Sequence, residues 1–226
     1  MDNLSSSDQR RDFFVFVDPN DWLTRHQLAL IGSFSSSPAD ASAPKLMFLP
    51  NPEFQTFISP FQNNLVRNYM AEYNLELCRE QNFAHYPCRL QAIFLFDTEE
   101  ETRKYLARHH NHVGGRLLKR CQTIGRYLWS RHDSSWIDFL RVGHSMDAET
   151  LQFVGRAYWS GDSVKNHQLT SMGKAWSEDP IMEVLLLGRI DFDDRGSSAR
   201  ASSPLRLWCP LQLGARRGAS PSSSRW

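Results

Sequence analysis

Cysteine is scarce and scattered: 226 residues hold four, Cys78, Cys88, Cys121 and Cys209. None forms a Cys-x-x-Cys pair, which argues against a zinc knuckle or a thioredoxin-type site and leaves them as reduced thiols of a cytoplasmic protein. Long apolar runs are missing as well. Nothing approaches the roughly 18 residues needed to span a bilayer, and Met1–Arg11 is rich in Ser, Asp and Arg with no apolar segment of a secretion signal. A soluble, cytoplasmic chain without a membrane partner is therefore expected, and delivery into a host cell by a specialised apparatus stays open because it leaves no such mark. Net charge is also small, formally +1, so nothing in the overall balance demands nucleic acid, lipid or an acidic partner. No glycine-rich phosphate loop or Ser-His-Asp order stands out. His109 and His112 are close enough to share a helix face, yet no neighbouring Cys, Asp or Glu completes a metal-like spacing. No metal is expected, and the two read as polar residues favoured by a helix C-terminus.

What is present can bury one sizeable core, since 41% of the residues are hydrophobic. The pattern predicts an α+β domain over 13–192, between a flexible N-terminus at 1–12 and a Ser-, Arg-, Gly- and Pro-rich tail at 193–226 that reads as disordered. Phe13–Val17 is a first strand, followed by a short helix over 22–31, a mobile loop over 33–43 and an irregular packed segment over 45–60. The spacing of Leu65, Tyr69, Tyr73 and Leu77 predicts a helix over 62–80, with Glu72, Glu76 and Glu80 on a solvated face. Cys88–Phe96 reads as a strand. Thr98-Glu99-Glu100-Glu101 is a capping box that starts a helix to His109. Two separate strands follow over 116–123 and 126–132, then a short helix over 134–140 and another capped by Asp147 with Leu151, Val154 and Tyr158 inward. Residues 161–179 are polar and strand-poor.

Two features carry chemistry. Glu183 stands before Val184–Leu187, an apolar run of strand length, so its carboxylate sits at the mouth of a buried sheet or inside it. Strongly perturbed carboxylates collect at functional sites, which makes Glu183 the candidate catalytic group, the bland alternative being an edge-strand residue facing water. The second feature is Lys119, Arg120, Arg126 and Arg131 interleaved with Tyr127, Trp129 and His132. Such a basic, aromatic strand surface suits stacked single-stranded bases, and so supports the alternative of a nucleic-acid-binding module.

Phe13–Val17 with its following helix, Tyr86-Pro87-Cys88-Arg89-Leu90 leading into Phe94-Leu95-Phe96, and Arg156-Ala157-Tyr158-Trp159-Ser160-Gly161 followed by the Glu183 strand together resemble an ADP-ribosyltransferase of the bacterial and phage toxin or effector type. The resemblance implies a two-sheet core with flanking helices that uses NAD as a substrate to modify a macromolecular target, protein or nucleic acid. Glu183 would stabilise the oxocarbenium-like state at the ribose. Phe16, Arg89, Tyr158 and Trp159 would hold NAD, Tyr158 and Trp159 by stacking on nicotinamide and Arg89 by pairing with the pyrophosphate; the plainer alternative makes the two aromatics core residues and Arg89 a solvent-facing strand residue. Two departures stand out. The first strand carries Phe16 and Val17 where the family has an Arg or His, which also leaves open an inactive relative kept for protein contacts. Ile181 occupies the position two residues before the acid, where arginine-modifying members carry an acid or Gln, so protein arginine is disfavoured as the target.

Overall fold

The computed structural model describes residues 3–21, 24–25, 27, 32–36, 60–142, 147–171, 174–176 and 178–192. Contacts divide the chain into Met1–Asp193 and Asp194–Trp226, and the tail expected to be disordered lies outside the described residues. So does most of the helix expected over 22–31, most of the loop over 33–43, and the segment 45–59.

The fold is α+β, built on one six-stranded antiparallel sheet. Its two long strands are β5 (Leu117–Asp133) and β8 (Met182–Phe192), which pair along most of their length. The outer side of β5 carries β1 (Leu4–Ser7) and β2 (Asp12–Val17). The outer side of β8 carries β3 (Ser33–Ser35) and β4 (Ile93–Leu95). Phe14 and Phe96 then exchange both backbone hydrogen bonds, each 2.8 Å, so β2, β5, β8 and β4 form a closed circuit. Closure removes exposed strand edges there and lets apolar side chains of all four strands share one core: Phe13, Val15 and Val17 with Leu95, Cys121, Tyr127, Val184, Leu186 and Ile190.

The strands expected over 116–123 and 126–132 are one continuous strand, β5. Gly125, with φ of 67°, does not end it; it absorbs a bulge where the register shifts between Ile124 and Leu128. Conversely, the strand expected over 88–96 shrinks to β4, because Cys88 accepts backbone hydrogen bonds from Gln91 and Ala92 in a tight turn. Leu4–Ser7, expected to be flexible, is held as a strand. Within 161–179, β6 (Thr170–Ser171) and β7 (Lys174–Ala175) make a small ribbon.

The helical layer consists of α1 (Pro60–Asn82), α4 (Ser135–Val142) and α5 (Ala148–Ser160), whose core joins Leu75, Trp136, Ile137, Val154, Tyr158 and Trp159 to Leu185 of β8. Between β4 and β5 lie α2 (Glu99–Arg108) and the single turn α3 (His110–Val113). The caps behave as the sequence requires: Thr98 accepts from Glu101 N–H, and Asp147 from Thr150 N–H. Glu101 also accepts the Met182 N–H at 2.7 Å, which ties the start of α2 to the start of β8. Of the face of α1 expected to be solvated, Glu80 is exposed but Glu72 and Glu76 are not. Glu76 is fully buried, its carboxylate held by the Arg79 guanidinium at 2.8 and 2.9 Å, and Glu72 turns inward toward Arg89.

Candidate active site

Glu183 is the second residue of β8, opposite His132, and points to the helical side of the sheet as Leu185 does. Only 6% of it is exposed. A carboxylate so placed costs several kcal/mol unless it is partnered. Its partners converge on one oxygen: Oε1 accepts the Tyr158 hydroxyl at 2.6 Å and the Nη1 of Arg89. No hydrogen bond reaches Oε2 among the described residues, although Glu183 lines a cavity.

Arg89 comes from the tight turn after Pro87 and is itself buried. Its Nη1 also meets the Tyr158 hydroxyl, while Nε and Nη2 bond the two oxygens of Glu72 at 2.6 and 3.1 Å. One guanidinium thus bridges two carboxylates drawn from α1 and β8. Burial alone would lower the arginine's pKa, but Glu183 and Glu72 outweigh it and push it well above the ordinary value. The Glu72 carboxyl lies below its usual range because Arg89 overcomes the opposing effect of burial. Burial, together with Glu183, pushes the Tyr158 hydroxyl well up, so it stays protonated and donates.

Tyr158 is braced from behind by His132, whose ring stacks on it at 4.5 Å. Burial pushes the His132 pKa down to about 3, so the ring is neutral. Its Nδ1 lies 2.8 Å from the Tyr158 carbonyl, which can only accept, so Nδ1 carries the proton and Nε2 accepts the Ser130 hydroxyl at 2.7 Å.

The cavity above this network holds about 320 Å³. One wall is aromatic: the rings of Phe16, Phe96 and Tyr105 lie 5.0 to 6.2 Å apart. Phe16 reaches it because β2 alternates, sending Phe13, Val15 and Val17 to the core and Phe16 to the other face. The Tyr105 hydroxyl, pushed up to about 12 by burial and by Glu183, remains neutral. Arg116 and Arg141 bring cations to the lining, and Arg141 is 36% exposed. His109 also lines the cavity, its Nε2 3.2 Å from Asp138 Oδ2 and its ring 4.5 Å from Tyr105. Such a site can hold a flat ring against π faces, accept anionic oxygens at the guanidinium groups, and present a fixed carboxylate to a developing positive centre. No cluster of three metal-ligating side chains occurs among the described residues.

The profile of a family described as a protein of unknown function, DUF2441, matches residues 5–172. The chain belongs to that family. The matched span contains Arg89, Tyr105, His109 and Tyr158, and it ends before Glu183. No curated protein matches the chain.

Of the residues singled out in this DUF2441 sequence, Glu183, Arg89 and Phe16 line one cavity, and Tyr158 bonds the first two from beneath. Trp159 does not join them. It is fully buried, and its indole N–H donates to the Leu75 carbonyl at 2.7 Å, so its work is to tie α5 to α1. Arg89 is not placed to grip a pyrophosphate, because each of its three nitrogens is already held by Glu72, Glu183 or Tyr158. Nor is it a solvent-facing strand residue. Tyr158 cannot stack on a ligand, since it is fully buried with His132 stacked on its ring and the Arg89 guanidinium 5.3 Å from the ring centroid.

The cations of β5 do not make one surface. Lys119 and Arg120 are consecutive and so point to opposite faces, while Arg120 pairs with Asp12 and Arg131 with Asp97. Arg126 is exposed beside the bulge. Sequence reasoning missed Glu72, Phe96, Tyr105, His109 and Arg141. A signal existed only for the pair Tyr105 and His109, whose spacing of four places them on one face at the end of α2.

Proposed function

We propose that the cavity is the site of an NAD-dependent ADP-ribosyltransferase in which Glu183 is the catalytic carboxylate. The observation that carries this reading is a carboxylate fixed on one oxygen by Arg89 and Tyr158, with the other oxygen unbonded, at the base of an aromatic-walled cavity. A preorganised anion of this kind stabilises positive charge at the ribose as the bond to nicotinamide breaks, with no reorganisation at the moment of reaction.

On this reading the remaining roles differ from those the resemblance implies. Phe16, Phe96 and Tyr105 supply the faces for the nicotinamide ring, replacing Tyr158 and Trp159. Arg116 and Arg141 take the pyrophosphate, replacing Arg89, whose task is to hold Glu183 in place. The described strands of the core form one six-stranded sheet closed through β2, β5, β8 and β4, where the resemblance implies two packed sheets. Phe16, on the strand where the family carries an Arg or His, does line the cavity, which favours an aromatic variant of the site over a degenerate one. Ile181 is 1% exposed, so the position two residues before Glu183 offers no group to a target, in keeping with an acceptor other than protein arginine.

The test is nicotinamide release from NAD by the full chain, alone and with RNA, DNA or cell lysate, beside Glu183→Gln. Turnover falling at least about 100-fold in the variant is the expected result. A folded protein that releases no nicotinamide under any of these conditions would overturn the reading.

A further inference from the structure

Resting on that reading, we infer that His109 is the general base that deprotonates a hydroxyl acceptor. His109 closes α2 as its C-cap residue and lines the same cavity as Glu183, from a different element. Its Nε2 sits 3.2 Å from Asp138 Oδ2, and Tyr105 packs against its ring at 4.5 Å. Tyr105 thus packs the ring in place, Asp138 Oδ2 lies beside Nε2 without a hydrogen bond to it, and Nδ1 has no partner among the described residues. Asp138 is only 14% exposed at its side chain and stabilises the imidazolium that forms when Nδ1 takes a proton. Arg108 and Arg141 approach the same carboxylate at 3.5 and 3.7 Å.

The division of labour follows from chemistry. Glu183, with Oε1 already held by Arg89 and Tyr158, faces the bond that breaks and stabilises the positive charge formed there. A carboxylate or phosphate acceptor needs no base, whereas a hydroxyl, whether of water, a sugar or a side chain, must lose its proton as it attacks. In the step, the electron pair of the ribose C1′–nitrogen bond leaves with neutral nicotinamide, a new C1′–oxygen bond forms, and the hydroxyl proton passes to His109 Nδ1. Asp138 acts through His109 and is a positioning residue.

The experiment measures nicotinamide release and the products of NAD with water and with added methanol as acceptors. It compares the natural chain with Glu183→Gln, His109→Ala, His109→Gln and Asp138→Asn. Expected are a kcat lower by about 100-fold in both His109 variants with KM for NAD unchanged, partial recovery of His109→Ala by added imidazole, and none of Glu183→Gln. Asp138→Asn should lose about tenfold in kcat. His109→Gln keeps a polar side chain of similar size, and circular dichroism of each variant reports its folding. Activity of His109→Ala equal to that of the natural chain, or a loss that imidazole does not restore and that appears in KM, overturns the inference while leaving the Glu183 reading standing. Absence of turnover in the natural chain overturns both.

Discussion

Arg89 neutralises two carboxylates that the fold has taken out of water, and it is only 4% exposed at its side chain. Replacing it with methionine keeps much of its volume but leaves Glu183 without a counter-charge and Glu72 with only Arg141, 3.8 Å away. Loss of one partner of such a buried pair typically costs about 3–5 kcal/mol. Glu183→Gln is a different case, since its amide oxygen still accepts from Tyr158 and Arg89 retains Glu72, so a cost of about 1 kcal/mol is expected. Urea midpoints should therefore fall steeply for Arg89→Met and slightly for Glu183→Gln, although the latter removes the catalytic group. The reverse order would mean that Glu183 is chiefly structural. Glu183 was legible from local pattern, an acid ahead of an apolar run, whereas Arg89 was singled out only through the resemblance and for another role. Glu72 was not legible. Its partner lies 17 residues further along the chain, and beside Glu76 and Glu80 it has the periodicity of a solvated stripe.

At the scale of elements, the site depends on how β5 and β8 pass each other. Beyond Gly125 the register slips, and Gly188 lies across from the slip with φ of 155°. A methyl group at Gly188 would come 2.7 Å from the Tyr127 Cβ and 3.3 Å from its Cα, contacts that only a shift of backbone relieves. At Gly125 a methyl group meets nothing within 4 Å, so only its φ of 67° opposes substitution. Gly125→Ala should cost about 1–2 kcal/mol, and Gly188→Ala clearly more, since overpacking adds a further 1–3 kcal/mol. Thermal unfolding of the two variants checks the order, and equal losses would show that the strands separate there without strain. This crossing also explains what sequence reasoning could and could not read. Strand composition on both sides of Gly125 was visible, but a glycine between two apolar runs has the same signature in a turn as in a bulge. The pairing of Phe14 with Phe96, which closes the circuit, joins residues too distant for any periodicity to register. The N-caps Thr98 and Asp147 were read correctly because they are local, although Glu101 bonds the Met182 N–H instead of completing the capping box.

For the molecule as a whole, the buried neutral His132 sets how stability responds to acid. Burial lowers its pKa from the ordinary 6.5 to about 3 in the folded chain, while the unfolded chain titrates near 6.5. Between these values the unfolded state binds the extra proton, so stability is complete above about pH 6.5 and declines as pH falls toward 3. The full span corresponds to roughly 4–5 kcal/mol, a large share of the stability of a domain of this size. Two other groups act in the same direction. His112 is lowered by burial and by Arg116, and so contributes below 6.5. Glu72 is depressed through Arg89, and its contribution is lost only below its unfolded value of about 4.5. The window from pH 6.5 to 4.5 therefore isolates the histidines. His132→Gln lowers stability at pH 7 by weakening the contacts to Ser130 and the Tyr158 carbonyl, but it also removes the proton linkage. Urea unfolding from pH 7 to 4.5 should show the natural chain losing stability at a slope approaching one proton more than the variant's. Parallel slopes would mean that His132 is reached by water in the folded state, and the brace behind Tyr158 and Glu183 would then have to come from the Arg89 bridge alone.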